Sequence, residues 1–285
     1  MSEMPVPAQN DEQATDEQLA ALRRLTQRHV VHSHGGRVVW RMLGAGRPLV
    51  MLHGGHGSWL HWARNIEALA EQRSVWVPDM PGYGESDAPA DATLASLLQR
   101  LGGSLDRLLG PQTPIDLAGF SFGGLVAAHL AAVRSGVDRL ALLGAAGHGG
   151  ARRPSAPLIA WRDVVGDAAA LRHVMRHNLL AHMLHEPDNV DALALRIHTD
   201  ACLHTRFRSK SISRAGGLQA LLGRVRGTVR MAWGAHDLTA TPEVLAPELA
   251  ACHPNVGCAI VPSAGHWVQY ESAPAVNAML RDWLA

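Results

Sequence analysis

Short apolar runs alternate with longer helical stretches along this chain. The run Leu49-Val50-Met51-Leu52, inside Pro48–His53, is continuously apolar, as expected of a strand buried on both faces. Ser74–Pro78, Pro114–Ala118, Arg139–Leu143, Thr228–Trp233 and Cys258–Val261 read the same way. Ahead of them, His29–His32 and Arg37–Met42 are extended segments split by Gly35-Gly36, a hairpin signal. Between the strands, Thr93–Leu109 places Leu94, Leu97, Leu98, Leu101 and Leu105 at helical spacing. Phe122–Arg134 is small and apolar, suited to close packing under a sheet, and Ala273–Leu284 is a closing amphipathic helix. Strands alternating with helices predict an α/β fold: a mostly parallel sheet, helices on both faces, and an antiparallel edge from the opening hairpin.

Two stretches break the alternation. Residues 1–16 are polar and acidic and read as a disordered leader, with Asp16 capping a short helix through Gln27 that carries Leu19, Leu22 and Leu25 on one side. From Gly149 to Gly217 no convincing strand occurs, and helical patterns such as Asp167–Met183 and Val190–Leu203 dominate. Roughly 70 residues exceed what a crossover needs. The expectation is therefore a core domain in two parts, 17–148 and 218–285, with 149–217 inserted as a helical cap.

Composition narrows the classes of partner. Hydrophobic residues make up 47% of the 285, enough for a substantial core, and charged residues 18%, too few for a solvated disordered chain. Lys and Arg total 26 against 25 acids, which argues against nucleic acid as a partner. The 17 His are scattered, so no metal site is expected. Three cysteines, Cys202, Cys252 and Cys258, are too few for a disulfide framework and fit reduced thiols. The N-terminus lacks a basic and apolar signal, and no apolar run approaches the ~20 residues that cross a bilayer. A cytoplasmic protein with no membrane partner is expected; association with further copies, a homo-oligomer, stays open.

The strongest local signal is Gly119-Phe120-Ser121-Phe122-Gly123-Gly124, directly after an apolar strand and before a helix. In that context G-x-S-x-G is a nucleophile elbow: the turn is sharp, the serine strained, and glycines are needed where side chains would collide. The helix N-terminus beneath Ser121 supplies partial positive charge where an oxyanion would form. A serine hydroxyl needs a base. His266, in Ser263-Ala264-Gly265-His266-Trp267, follows the last strand and so faces the same sheet edge as the elbow. That position separates it from a surface histidine. The base needs an orienting acid, and Asp237, in Trp233-Gly234-Ala235-His236-Asp237, follows the strand before it. The preceding strand ends in Gly144-Ala145-Ala146-Gly147, with no acid. Asp79 also follows a strand, but Pro78-Asp79-Met80-Pro81-Gly82-Tyr83-Gly84 reads as a structural turn. Donors for an oxyanion would come from the backbone N–H groups of Phe122 and of Gly55, the latter in His53-Gly54-Gly55-His56-Gly57-Ser58. Those glycines do not make a phosphate loop, since no Gly-Lys-Ser/Thr ending follows.

These motifs, in this order and over almost the whole chain from about His29 to Leu284, resemble the α/β-hydrolase superfamily. His53-Gly54-Gly55, the Pro-Gly-Tyr-Gly-Glu-Ser of Asp79–Ser86, the elbow, Trp233–Asp237 and Gly265-His266 carry the resemblance. It implies an eight-stranded sheet, a helical cap and a mechanism without cofactors. Ser121 sets the chain apart from the haloalkane dehalogenases and epoxide hydrolases, which use Asp at the elbow. Three readings follow. The first is a serine hydrolase of a small carboxylic ester, acting on a small-molecule acyl substrate. The second is a carbon–carbon hydrolase of aromatic ring-cleavage products. That group is similar in its oxyanion loop, its Trp after the histidine (here Trp267) and its cap arginine (here Arg196), but it carries Asn where Phe120 stands. The third is a catalytically silent binding module. Candidate pocket residues are His56, Trp59, Phe120, His148, Arg196 and Trp267, with His61, Trp62 and Phe122 near them. Trp59, Trp62 and Trp267 could equally be packing residues. Arg152, Arg153, Arg206 and Arg208 are further arginines that could hold a substrate carboxylate, although such side chains are commonly solvated.

Overall fold

The computed structural model describes residues 9–252 and 256–285. Eight strands form one sheet: β1 (Gln27–Ser33), β2 (Gly36–Leu43), β3 (Pro48–Leu52), β4 (Ser74–Pro78), β5 (Ile115–Phe120), β6 (Val137–Leu143), β7 (Thr228–Gly234) and β8 (Val256–Val261). Their order is β1-β2-β4-β3-β5-β6-β7-β8. Every pairing from β4 to β8 is parallel, while β1 with β2 and β2 with β4 are antiparallel. His34 and Gly35 both take positive φ, which closes the β1–β2 hairpin with a twist matching its strands.

Alternation along the strands divides the interior in two. Val50, Leu52, Leu117, Leu140, Leu142, Met231 and Trp233 pack on one face of the sheet. Leu49, Met51, Ala118, Ala141, Leu143 and Ala232 pack on the other. Both faces are covered, which is why these strands read as unbroken apolar runs.

The helices are α1 (Gln9–Leu25), α2 (Ile66–Ala70), α3 (Leu94–Leu109), α4 (Phe122–Val133), α5 (Ala168–His182), α6 (Ala192–Leu203), α7 (Lys210–Arg214), α8 (Leu218–Leu222), α9 (Pro242–Cys252), α10 (Val268–Glu271) and α11 (Ala273–Trp283). Thr93, Asp167 and Asp191 accept backbone N–H bonds at the starts of α3, α5 and α6, so each helix begins where a capping residue stands. Among the described residues no strand lies between β6 and β7. That span holds a largely exposed segment over 149–160, then α5 to α8. α5 and α6 lie over the second apolar face through Leu171, Met175, Leu179, Ala194 and Ile197. α8 packs back on α4.

One expectation needs correcting. The first helix does not start at a cap on Asp16, because α1 is already helical from Gln9. It is held by packing: Thr15, Leu19 and Leu22 are buried, α1 lies on α6, and Leu25 is left exposed. Residues 1–8 of the expected leader lie outside the described residues. Cys202 and Cys258 are free thiols, and burial pushes that of Cys202 up to about 12. The Cys252 side chain also lies outside the described residues. No helix among them is long and apolar enough to cross a membrane.

Candidate active site

The site forms where β5, β7 and β8 end. β5 carries the chain into Ser121, whose backbone sits at φ 53° and ψ −119°, a strained conformation for a residue with a Cβ. α4 starts at the next residue. The glycines around it are required by contact. A methyl on Gly119 would lie 2.5 Å from the Gly123 carbonyl oxygen, and one on Gly123 would collide with the carbonyl oxygens of Leu52 and His53. The turn thus packs against the end of β3 and lifts the serine above the sheet.

His266 lies in the loop after β8 and Asp237 in the loop after β7. His266 Nε2 is 2.9 Å from Ser121 Oγ, and His266 Nδ1 is 2.9 Å from Asp237 Oδ2. The other Asp237 oxygen accepts the Thr239 N–H at 2.7 Å. Thr239 Oγ1 stands 3.1 Å from His266 Nδ1. Asp237 is fully buried. Burial alone would raise its pKa, but His266 and the Thr239 bonds outweigh it and hold the carboxyl below its usual range, so it stays ionised. Gly144, at φ +52° after β6, makes room for the pair, since a methyl there would lie 3.0 Å from His266 Nδ1 and 3.2 Å from Asp237 Oδ2. This arrangement can pass a proton from a hydroxyl to an imidazole whose orientation is fixed from behind.

Asp79 is elsewhere. Its oxygens accept the backbone N–H groups of Trp59 and Glu85, each at 2.9 Å, and burial pushes its pKa up to about 6. It braces the loop after β4 and takes no part in the Ser–His–Asp chain.

The loop after β3 is anchored by two histidines. His53 Nε2 accepts the Met80 N–H at 2.9 Å, so its Nδ1–H donates to the Gly54 carbonyl at 2.8 Å. His61 Nδ1 accepts the Gly54 N–H at 3.2 Å. Burial lowers the pKa of both, that of His53 to about 4, and holds them neutral. Gly54 is thus spent on structure, and the next backbone N–H along the loop is that of Gly55. The Phe122 N–H opens α4 and has no helical acceptor.

Several pocket expectations do not hold. Trp59 is buried in the core, with the Arg41 guanidinium 5.1 Å above its ring. His148 uses both ring nitrogens: Nδ1 accepts the Gly150 N–H at 2.9 Å and Nε2 donates to the Thr239 carbonyl at 3.1 Å. It supports the Asp237 loop and has no nitrogen left for a substrate. Arg196 points away, exposed, paired with Asp200 at 2.9 Å and with Asp16 of α1 at 2.7 Å. Trp267 has no accessible surface; its indole N–H donates to the His61 carbonyl at 3.0 Å and its ring stacks on Tyr270. Trp62 is likewise core, while Phe120, fully buried, backs the His266 ring at 5.0 Å. Arg153 and Arg206 bind backbone carbonyls, whereas Arg208 is exposed. His56 keeps accessible surface beside Gly55, at φ +51°.

Three residues were missed. Thr239 joins the Asp237–His266 pair; its only sequence signal is a polar residue two positions after the acid. His182, at the end of α5, brings its ring 5.7 Å from that of His266, and burial lowers its pKa to about 3. Glu271 binds the loop of His266 from behind. Glu271 closes the run Gly265–Glu271, which resembles the carbon–carbon hydrolases, but that resemblance assigns it no role; nothing in the sequence pattern singles out His182.

A model of the α/β-hydrolase fold matches residues 47–273, and the chain belongs to that family. It is 43% identical over 110 residues to the 2-hydroxymuconate semialdehyde hydrolase of Pseudomonas sp. (strain CF600), covering 36% of this chain and 38% of that one, so it spans well under half the length of that relative. It is 29% identical over 272 residues to the 2-hydroxy-6-oxononadienedioate/2-hydroxy-6-oxononatrienedioate hydrolase of Cupriavidus pinatubonensis, covering 85% of this chain and 88% of that one. The carboxylesterase CesB (YbfK) of Bacillus subtilis has the same fold, with a TM-score of 0.71, 20% identity and 97% of each chain covered.

Proposed function

We propose that this chain is a serine hydrolase that cleaves a small carboxylic ester through an acyl-enzyme. The observation that carries the reading is the unbroken chain from Ser121 Oγ to His266 to a buried, ionised Asp237, with 2.9 Å at each step, at the N-terminus of α4. Ser121 Oγ attacks the ester carbonyl carbon as its proton passes to His266 Nε2. Asp237 keeps the imidazole proton on Nδ1 and stabilises the imidazolium. The backbone N–H groups of Phe122 and Gly55 hold the developing oxyanion, where one such donor is typically worth ~3 kcal/mol. His266 returns its proton to the departing alcohol, then takes one from the attacking water and passes it to Ser121 Oγ as the acid is released. No cofactor enters these steps. The helices over 149–217 act as a cap above the site, and His56 and His182 line it.

A second reading uses the same residues to break a carbon–carbon bond in a ring-cleavage product. It is favoured by the substrates named for the two relatives, and by Arg152. That guanidinium is half-buried, its pKa lowered first by burial and then by Arg214, and it forms no ion pair or hydrogen bond among the described residues. A carboxylate on the substrate would fit it. Phe120 before the nucleophile weighs the other way, because it offers no hydrogen bond to a dienone.

Turnover of p-nitrophenyl acetate and butyrate, measured beside a ring-cleavage dienone acid, decides between the two. The ester reading predicts higher kcat/KM for the esters. Dienone turnover exceeding ester turnover would reverse the ranking.

A further inference from the structure

The histidine loop after β8 is not free to move by itself. The Glu271 carboxylate, in α10, accepts the Gly265 N–H at 2.6 Å, immediately before His266. The same carboxylate accepts three N–H groups from the linker between α5 and α6: His185 N at 2.9 Å, Glu186 N at 2.8 Å and Asn189 Nδ2 at 3.1 Å. A second bond runs alongside, from the Trp267 N–H to the Met183 carbonyl at 2.7 Å. The linker also reaches the acid loop, since the His185 ring stacks on His236, next to Asp237, at 3.5 Å between centroids and 4° between planes. Contact is close throughout: a methyl on Gly265 would lie 2.8 Å from His185 N and 3.0 Å from the Met183 carbonyl oxygen. The linker over 183–189 therefore straps the base loop and the acid loop together, and Glu271 is its buckle.

We propose that Glu271 is a positioning residue, through which the segment carrying α5 and α6 sets the distance between His266 and its partners Ser121 and Asp237. The inference rests on the serine-hydrolase reading, in which that distance governs turnover. All four partners of the carboxylate are N–H donors, so only a group with acceptors on both oxygens satisfies them. Glutamine has the same shape but turns an NH₂ toward at least one donor, which pushes either the His266 loop or the linker away. Because an error of about 1 Å in such geometry costs on the order of 10²-fold in rate, the loss falls on kcat. Substrate contacts made by other residues stay as they are, and KM changes little.

The test is Glu271→Gln, with ester kinetics and the low-field proton NMR resonance of the His266 Nδ1–H bonded to Asp237. The expected result is a fall in kcat of about tenfold or more with KM within about twofold, together with a shifted or broadened resonance. A protein that turns over ester normally as wild type, and keeps both kcat within twofold and the resonance unchanged in Glu271→Gln, overturns the inference while leaving the hydrolase reading standing. A wild type that hydrolyses neither esters nor the dienone would end the hydrolase reading. The resonance would still decide whether Glu271 positions His266. Should Glu271→Gln not fold, Asn189→Asp carries the same test from the rim. It sets a second carboxylate against Glu271, and a fall in kcat with KM held is expected; unchanged kcat would refute the strap.

Discussion

Asp237 has both carboxylate oxygens occupied, one by the Thr239 N–H and the other by His266 Nδ1. An asparagine in its place keeps its oxygen on Thr239 and turns its amide hydrogens toward His266 Nδ1. That forces the imidazole proton onto Nε2, facing Ser121, so the ring can no longer take the hydroxyl proton. Asp237→Asn should therefore lose about 10⁴-fold in kcat, as the same change does in other Ser-His-Asp sites, with KM moved only a few-fold. Ester kinetics check this, and a variant within tenfold of wild type would mean that Asp237 is not the orienting acid. Ser121, Asp237 and His266 were legible in the sequence because each follows an apolar strand, and strand ends share one edge of a parallel sheet. The roles of His148 and Thr239 were not. They depend on the segment after Gly147 folding back against the acid loop, where His148 meets the Thr239 carbonyl. Local pattern holds no record of that meeting. Arg196 misled for the same reason: its charge is visible in the sequence, but its partners Asp16 and Asp200 are set by α1 docking on α6.

At the scale of elements, the strands were legible to within a few residues at each end. β4 matches its apolar run residue for residue. β5 runs two residues beyond its run because Gly119 and Phe120 still pair with Leu142 and Leu143 of β6. The starts of α3 and α5 were legible from Thr93 and Asp167, whose side chains cap them. The second half of α1 was legible from Leu19 and Leu22, but its start was not, since a polar, acidic stretch gives no sign of the neighbour that will hold it. Helical periodicity in α5 and α6 announces an apolar face without saying what it covers. The faces prove to lie on the same side of the sheet as Phe120 and Trp267. Nor does the pattern disclose that the turn between these helices meets the loops of both His266 and Asp237, because the contacts are made mainly by backbone N–H groups around Glu271.

At the scale of the whole molecule, the interior holds several imidazoles that resist protonation. Burial lowers the pKa of His53 and His198 to about 4, that of His182 to about 3, and that of His61 well below its ordinary value. In the unfolded chain such groups titrate near about 6.5. As pH falls below that value the unfolded chain takes up protons that the native one refuses, so stability drops. Asp79, pushed up to about 6 by burial, works in the opposite sense between about 6 and its unfolded value, but it is one group against four. The unfolding free energy from urea curves should therefore be lower at pH 5 than at pH 7, by an amount on the order of a few kcal/mol, with a lower midpoint. A midpoint unchanged or raised at pH 5 would contradict the neutral, buried state of these histidines. The proposed hydrolysis turns on one atom, the Ser121 hydroxyl oxygen, 2.9 Å from His266 Nε2. Intact-mass measurement after exposure to a fluorophosphonate probe tests it most directly. A single adduct on the wild type, mapped to Ser121 and absent from Ser121→Ala, is the predicted result; a wild type left unlabelled, or a Ser121→Ala variant labelled as readily, would contradict it.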